Sequence, residues 1–164
     1  MARIIKNWYG QVEPNHLSAQ RTGQIYAQLP CPEETAILEN GQFVKYDYAN
    51  KEVNFEGKGE WMLVFNEVKL YDKKQMYRDF AMIKEECVNG EMVPRVFKTN
   101  IGDIYTTNMV DEDADITEGA LLKVNDCGYL TTGGSLDDDD MCWEVAKICT
   151  LADGQPAIKI MRVK

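Results

Sequence analysis

A nine-residue pattern occurs twice in this chain, first at residues 38–46 and again at residues 116–124, and it constrains the fold more than any other feature. Residues 38–46 lead from an apolar residue through a polar pair to Gly41, and then into an apolar run that includes a lysine. Residues 116–124 repeat this order around Gly119. A polar turn, a short apolar stretch and two glycines follow each copy. We therefore expect a small β unit that is used twice, with each glycine at the turn that enters it.

The rest of the chain also carries strand patterns. Residues 52–56 alternate between polar and apolar side chains, and residues 61–65 form an apolar run that suits a strand buried on both faces. Residues 157–163 alternate as well, and the Asp153-Gly154 turn should pair them with the stretch before it. The sequence predicts a mainly β fold, a barrel or sandwich built from two related β units, with an extended N-terminal arm and at most one short helix.

The best candidate for that helix is residues 72–86. Asp72 and Gln75 have the spacing of a capping box, with aspartate in place of serine or threonine. Apolar side chains then recur at helical spacing, at Met76, Phe80 and Ile83.

We expect three segments along the chain. Residues 1–35 form an extended N-terminal arm, which is rich in aromatic residues and ends near two prolines. Residues 36–90 form the first β unit with a short helix or linker, and residues 91–164 form the second β unit.

The net charge is −9, from 27 acidic and 18 basic residues, and the basic residues are scattered. A nucleic-acid-binding surface needs clustered positive charge, so no nucleic-acid partner is expected. No apolar run approaches the ~20 residues that cross a bilayer, and residues 1–8 do not resemble a signal peptide. We expect no membrane association and no export.

The cysteines indicate free thiols in a reducing compartment. Their number is odd, and no pair has the C-x-x-C spacing of a zinc site. Three of the five lie in apolar stretches, where packing in the core is expected: Cys127, Cys142 and Cys149.

Residues for familiar catalytic machinery are scarce. His16 is the only histidine, and the only serines are Ser18 and Ser135, neither of which lies in a G-x-S-x-G pattern. Phosphate-binding glycine loops are absent from the sequence. We expect a protein that is not an enzyme and that uses no cofactor.

Two acidic stretches, Asp111–Asp115 and Asp137–Asp140, raise the question of a bound cation. The first begins with the spacing of an EF-hand loop, but Ile116 and Leu122 stand where that loop needs glycine and glutamate. Four consecutive aspartates cannot all face one ion. We expect solvated acidic loops, no metal site, and tryptophans at 61 and 143 that fill the core.

Several segments resemble β units of small virion proteins from tailed bacteriophages. The likeness is carried by residues 96–108, 118–124, 128–130, 143–145 and 154–163, and it covers the C-terminal 70 or so residues best. The family most similar is that of capsid decoration proteins, also called cement or auxiliary proteins, which coat shells of HK97-type capsid protein. The resemblance transfers no catalytic residue.

This resemblance implies a structural virion protein that binds the outer surface of an icosahedral capsid and stabilises the shell. The major capsid protein would be its partner, the chain would act as a homo-oligomer such as a trimer, and it would be made in the bacterial cytoplasm. Our hypothesis assigns Trp8, Tyr9 and Tyr26 as apolar anchors of an arm that clamps capsid subunits. The alternative for these residues is an arm that folds back onto its own body.

Other functions stay open at the level of sequence. The same β units would suit another virion component, such as a tail or head–tail protein. A small β-barrel hydrolase with paired carboxylates, or a module that binds a small ligand, is a further alternative.

Overall fold

The computed structural model describes residues 2–6, 10–13, 28–66 and 81–164. These residues form fourteen strands and two 3-10 turns, Lys84–Glu86 and Val88–Gly90. The strands are Ala2–Arg3 (β1), Val12–Glu13 (β2), Ile37–Glu39 (β3), Phe43–Asp47 (β4), Glu52–Asn54 (β5), Met62–Val64 (β6), Ala81–Ile83 (β7), Val96–Phe97 (β8), Ile104–Thr107 (β9), Asp115–Ile116 (β10), Leu121–Val124 (β11), Leu130–Thr132 (β12), Trp143–Thr150 (β13) and Pro156–Arg162 (β14). The predicted mainly β fold is confirmed.

The two repeated stretches adopt the same strand arrangement. The first unit, formed by β3 to β6 and β8, contains a sheet with the order β5-β4-β6-β8. The second unit, formed by β10 to β14, contains the matching order β12-β11-β13-β14, which β9 and β2 extend at the far edge. All of these pairs are antiparallel. The sequence repeat is therefore also a structural repeat.

The turn that enters each unit has the same geometry. Residues 39–42 and residues 117–120 each close with a hydrogen bond from the last N–H to the first carbonyl, at 3.2 and 3.1 Å. Gly41 and Gly119 occupy the third position with φ of +92° and +81°, a region that glycine adopts without steric cost. Their own N–H groups donate to Val64 and Val145, both at 2.8 Å. The predicted role of both glycines is confirmed.

The hairpin at the centre of each unit also turns in a matched way. The Asp47 carboxylate accepts hydrogen bonds from the N–H groups of Ala49 and Asn50, at 3.0 and 3.2 Å. The side-chain oxygen of Asn125, which holds the equivalent position in the repeat, accepts from residues 127 and 129, both at 3.0 Å. A side-chain acceptor at this position stabilises the turn, which explains why a polar residue follows each apolar run.

Each unit has its own hydrophobic core. The first core contains Leu38, Val44, Tyr46, Val53, Met62, Val64, Met92 and Val96. The second core is larger and includes Ile116, Leu122, Leu130, Trp143, Val145, Ile158 and Ile160. Repeat positions are shared between them, since Leu38 and Val44 correspond to Ile116 and Leu122. The repeated apolar residues therefore point to the inside of each unit.

The first unit packs onto the second through the opposite face of its sheet. Phe43, Leu63 and Phe97 belong to the second core, and all three are at most 5% exposed. The Phe43 ring lies 4.9 Å from the ring of Trp143, centroid to centroid. The burial predicted for residues 61–65 on both faces is confirmed for residues 62–64, which lie between the two cores, whereas Trp61 and Phe65 are partly buried.

The hairpin tip of the second unit makes the hydrogen bonds of this interface. The Phe43 N–H donates to the Gly128 carbonyl at 2.9 Å, and the Gln42 side-chain amide donates to the Cys127 carbonyl at 2.9 Å. These bonds fix the position of one unit against the other.

The described parts of the N-terminal segment lie on the body of the protein. β1 pairs with β10, and Ile4 is 1% exposed within the second core. β2 pairs with β9, while the Pro30 carbonyl accepts the Val53 N–H at 2.9 Å. The segment therefore contacts the second unit at residues 2–6 and 10–13, and it contacts the first unit at Lys6, which pairs with Glu39, and at residues 29–31.

The predicted helix over residues 72–86 is wrong in its described part. Residues 81–83 form β7, which pairs with β3, and residues 84–86 form a 3-10 turn. Met82 packs against the first core from this strand. Residues 72–80 lie outside the described residues. The predicted C-terminal hairpin is confirmed, because β13 and β14 pair across a turn at Gly154 with φ of +91°.

Candidate functional site

A cavity of about 960 Å³ lies on the first unit, among the described residues. One wall is the segment 31–38, and the opposite wall is the hairpin of β4 and β5. We call it the acidic groove, and its described lining residues are Cys31, Pro32, Glu34, Thr35, Ala36, Ile37, Leu38, Val44, Lys45, Asp47, Asn50, Glu52, Val53, Asn54, Phe55, Glu56 and Asp126. A concavity of this size is the default place to look for a binding site.

Backbone hydrogen bonds hold the two walls in position. The Cys31 N–H donates to the Met92 carbonyl at 2.8 Å, and the neighbouring Pro30 carbonyl accepts the Val53 N–H. Leu38, Val44 and Val53 are about 1% exposed and form the floor as part of the first core, while Ile37 is 43% exposed at the groove. The groove therefore combines apolar side chains with fixed walls.

The groove carries a strong excess of negative charge. Five carboxylates line it, at Glu34, Asp47, Glu52, Glu56 and Asp126. Lys45 is the only cation among the described lining residues, and its ammonium lies 4.2 Å from the centroid of the Trp61 ring. A cation–π contact with Trp61 therefore engages the one positive charge of the described groove lining.

Hydrogen bonds from backbone N–H groups keep one of these carboxylates ionised. Donation by Asn50 is the largest cause that lowers the pKa of Asp47 from 3.8, and Ala49 adds to it. Burial of the Cys31 thiol has the opposite effect and raises its pKa to about 12, with the nearby Cys87 and Glu52 as further causes. Cys31 is therefore a neutral thiol at neutral pH.

A second cavity of about 390 Å³ occupies the corresponding place on the second unit. Its described lining residues are Lys6, Val110, Asp111, Glu112, Asp113, Asn125, Cys127 and Tyr129. In the repeat, Glu112 and Asn125 correspond to Glu34 and Asp47 of the acidic groove. We call this the Lys6 cavity.

Lys6 brings a cation to this second cavity from the N-terminal segment. Its ammonium forms an ion pair with the Glu39 carboxylate, lies 3.8 Å from the Met109 sulfur and stands 5.6 Å from the centroid of the Tyr129 ring. The Lys6 side chain is only 20% exposed. A carboxylate and an aromatic ring thus compensate a lysine that is largely removed from water.

Gly10 fixes the N-terminal segment close to the Lys6 cavity. A Cβ at this buried position would lie 2.7 Å from the Met109 Cγ and 2.6 Å from the Asn40 carbonyl oxygen. Only glycine fits such a close approach of backbone to its neighbours. The path of the segment from Gly10 into β2 is therefore set by packing.

The predicted interface residues Trp8, Tyr9 and Tyr26 lie outside the described residues. Their assignment as anchors remains a hypothesis.

The two acidic stretches form ordered turns. In the first, Asp111 accepts hydrogen bonds from the Asp113 N–H at 3.1 Å and the Asn125 amide at 2.9 Å, while Asp115 belongs to β10. In the second, the Ser135 N–H donates to Asp139 at 2.8 Å. No group of three or more His, Cys, Asp or Glu is arranged to hold a metal ion within the described ranges.

Predicted core residues have mixed outcomes. Cys142 and Trp143 are fully buried as expected, and Trp61 packs partly buried against the second core. The expected burial of Cys127 is wrong, because this residue is exposed in the turn that Asn125 organises. Sequence reasoning also missed the acidic groove, for which the signal was a set of separate glutamates: one pair follows Pro32, Glu52 begins β5 and Glu56 follows it.

Comparison with known proteins finds no family model, no curated protein and no solved structure that matches this chain. In the described part of the chain, no helix has the length and apolar character needed to cross a membrane.

Proposed function

We propose that this chain is a structural virion protein that binds the outer surface of an icosahedral phage capsid and stabilises the shell. The resemblance of its β units to capsid decoration proteins is the source of this proposal. Its partner would be the major capsid protein, and the chain would act as a homo-oligomer without catalytic activity.

The observation that supports the proposal most is the duplication of the β unit within one chain whose units share a core. The two units have the same strand order, entry turn and hairpin turn, and a common core joins them. A protein with two related units offers two related surfaces at a fixed separation. Such a protein suits a lattice of identical subunits, where several weak contacts add through effective concentration.

An exposed aromatic side chain gives the first unit a candidate contact point. Tyr48 is 66% exposed at the tip of the first hairpin, and its ring packs 5.3 Å from the ring of Tyr46. Tyrosine is enriched at protein interfaces because it supplies apolar area with little loss of conformational entropy.

The test begins with purified virions from the source of this sequence. We expect the chain among the virion proteins, and electron microscopy with a chain-specific antibody should label the outside of the capsid. Shells that lack the protein should bind the purified chain saturably, and Tyr48→Ala should weaken this binding several-fold, about the loss of one interface contact. Val88→Ala removes an apolar side chain of similar exposure, 69%, from the 3-10 turn outside both repeated hairpins and serves as the matched control.

If the antibody labels only the tail of the virion, the capsid proposal is wrong and the chain is a tail protein. Complete absence of the chain from virions would contradict both.

A further inference from the structure

The acidic groove and the Lys6 cavity are versions of one site in two related units. Pro32, Glu34 and Asp47 line the first, and Val110, Glu112 and Asn125 line the second at the equivalent positions of the repeat. In both, a loop that carries carboxylates faces the turn of a hairpin. The side chains around the Lys6 cavity therefore indicate which kind of ligand the acidic groove binds.

The Lys6 cavity shows how such a site handles a cation. Residues 2–6 add a strand beside β10, place Ile4 in the core, and present Lys6 to Glu39 and Tyr129. Lys6 thus lines the cavity at the end of a short extended segment that also carries an apolar side chain. The Lys6 ammonium is compensated by the Glu39 carboxylate, from β3 of the first unit, and by the Tyr129 ring.

The acidic groove offers the same groups in larger number. Its lining includes the Glu34, Glu52 and Glu56 carboxylates, and the Phe55 ring stands among them. The groove volume is about 960 Å³, compared with about 390 Å³ for the Lys6 cavity. Charge, apolar area and room are therefore present for a segment longer than residues 2–6.

We propose that the acidic groove binds an extended basic segment of the capsid protein, in which lysine or arginine side chains alternate with apolar residues. The positive side chains pair with Glu34, Glu52 and Glu56, and the apolar ones pack on Ile37, which is 43% exposed, and on the half-buried Phe55. The identity of the partner as the capsid protein rests on the function proposed above. The preference for a basic, partly apolar segment rests only on the residues that line the groove.

The first experiment tests the groove with a defined probe. A fluorescent, acetylated twelve-residue peptide of alternating lysine and valine is titrated with the full-length protein at low salt, and its anisotropy is followed. The double variant E34K/E56K reverses two exposed carboxylates of the groove. We expect peptide affinity to fall by about tenfold or more, since each reversed charge replaces attraction with repulsion.

The matched control is E85K/E86K, which reverses two exposed glutamates in the 3-10 turn outside the groove lining. Both double variants change the net charge from −9 to −5. We expect the control to bind the peptide within about twofold of the unaltered protein at the same salt concentration. An equal loss of affinity in both variants would show that net charge alone attracts the peptide, and would overturn the proposal.

A second measurement uses the unaltered protein and does not depend on a variant that folds. Amide NMR shifts on peptide addition should be confined to residues 31–38, 44–56 and 126. Shifts centred elsewhere would refute the groove as the site. A peptide with glutamate in place of lysine should produce no shifts.

Capsid binding separates the two proposals. If empty shells bind E34K/E56K as tightly as the unaltered protein, the groove proposal fails while the decoration function stands. If the peptide binds in the groove but virions lack the chain, the decoration function fails while a groove for basic segments stands.

Discussion

Gly128 lies where the hairpin of the second unit meets the first unit, and its substitution tests whether the two units are one cooperative body. Its φ is +79°, and a Cβ built on it would collide with the Phe43 carbonyl oxygen. The same Cβ would lie 2.9 Å from the Phe55 ring and 3.1 Å from the Gln42 Cγ. We expect Gly128→Ala to push the hairpin tip away from the first unit.

The expected loss in free energy of unfolding has two parts. An alanine in this left-handed backbone conformation lowers the free energy of unfolding by roughly 1–2 kcal/mol, whatever its neighbours are. Displacement of the tip also weakens the hydrogen bonds from Phe43 and Gln42, which contribute about 1 kcal/mol each, and disturbs the packing of Phe55. The total is about 3–5 kcal/mol, a large share of the stability of a typical domain.

Gly133→Ala is the matched control. Gly133 has a nearly equal φ of +85°, but a Cβ there meets nothing within 4 Å. Only the backbone part of the cost applies, so we expect a loss of about 1–2 kcal/mol. The difference between the two variants isolates the contact between the units.

Urea unfolding, followed by tryptophan fluorescence and by circular dichroism, measures both variants. We expect the two probes to report one transition in the unaltered protein, because Phe43, Leu63 and Phe97 share a core with the second unit. Equal losses for Gly128→Ala and Gly133→Ala would refute the reasoning, since the clash with the first unit would then carry no free energy.

Two further predictions concern ionisation. The pKa of Asp47 lies below 3.8 in the folded protein, so its ionised form stabilises the fold above that pH and the contribution is lost as the pH falls through the lowered value. Acid unfolding curves should show this dependence, and Asp47→Asn should remove it; identical curves would contradict the hydrogen-bond assignment. The pKa of Cys31 is about 12, whereas Cys127 is exposed, so iodoacetamide at pH 8 should modify Cys127 at least about tenfold faster. Mass spectrometry of the digested protein measures both rates, and comparable rates would contradict the burial of Cys31.

The duplicated architecture could be predicted from the sequence because its key positions have local causes. A positive φ at the entry turn demands glycine, which makes Gly41 and Gly119 visible in the sequence. The polar residue after each apolar run, Asp47 or Asn125, accepts hydrogen bonds from N–H groups of the turn that directly follows it. Such signals depend on near neighbours and need no knowledge of tertiary contacts.

The helix over residues 72–86 was predicted from a pattern that tertiary contacts override. Met82 and Ile83 are compatible with the apolar face of a helix. They are equally compatible with a strand in which Met82 packs on the first core. The partner strand β3 is distant in sequence, and three other strands of the first unit lie between it and β7 along the chain. Short apolar runs cannot distinguish these cases, because the choice depends on which edge is available for pairing.

The acidic groove could not be predicted for a related reason. Its carboxylates come from separate parts of the chain, at Glu34, in the first hairpin region and at Asp126. In the sequence they belong to the general excess of acidic residues. Only the pairing of β4 with β5 and the docking of the second hairpin place them around one cavity.

The differences between the two units follow from how the units pack together. Val44 pairs with Met62 and Leu122 pairs with Trp143, which makes Leu63 and Glu144 equivalent positions on the outer face of each sheet. Leu63 is fully buried against the second core, whereas Glu144 is half-buried. Burial of an unpaired carboxylate costs several kcal/mol, so the first unit requires an apolar residue here and the second does not. The repeat therefore keeps the residues that form each unit, and it diverges where one unit becomes the packing surface for the other.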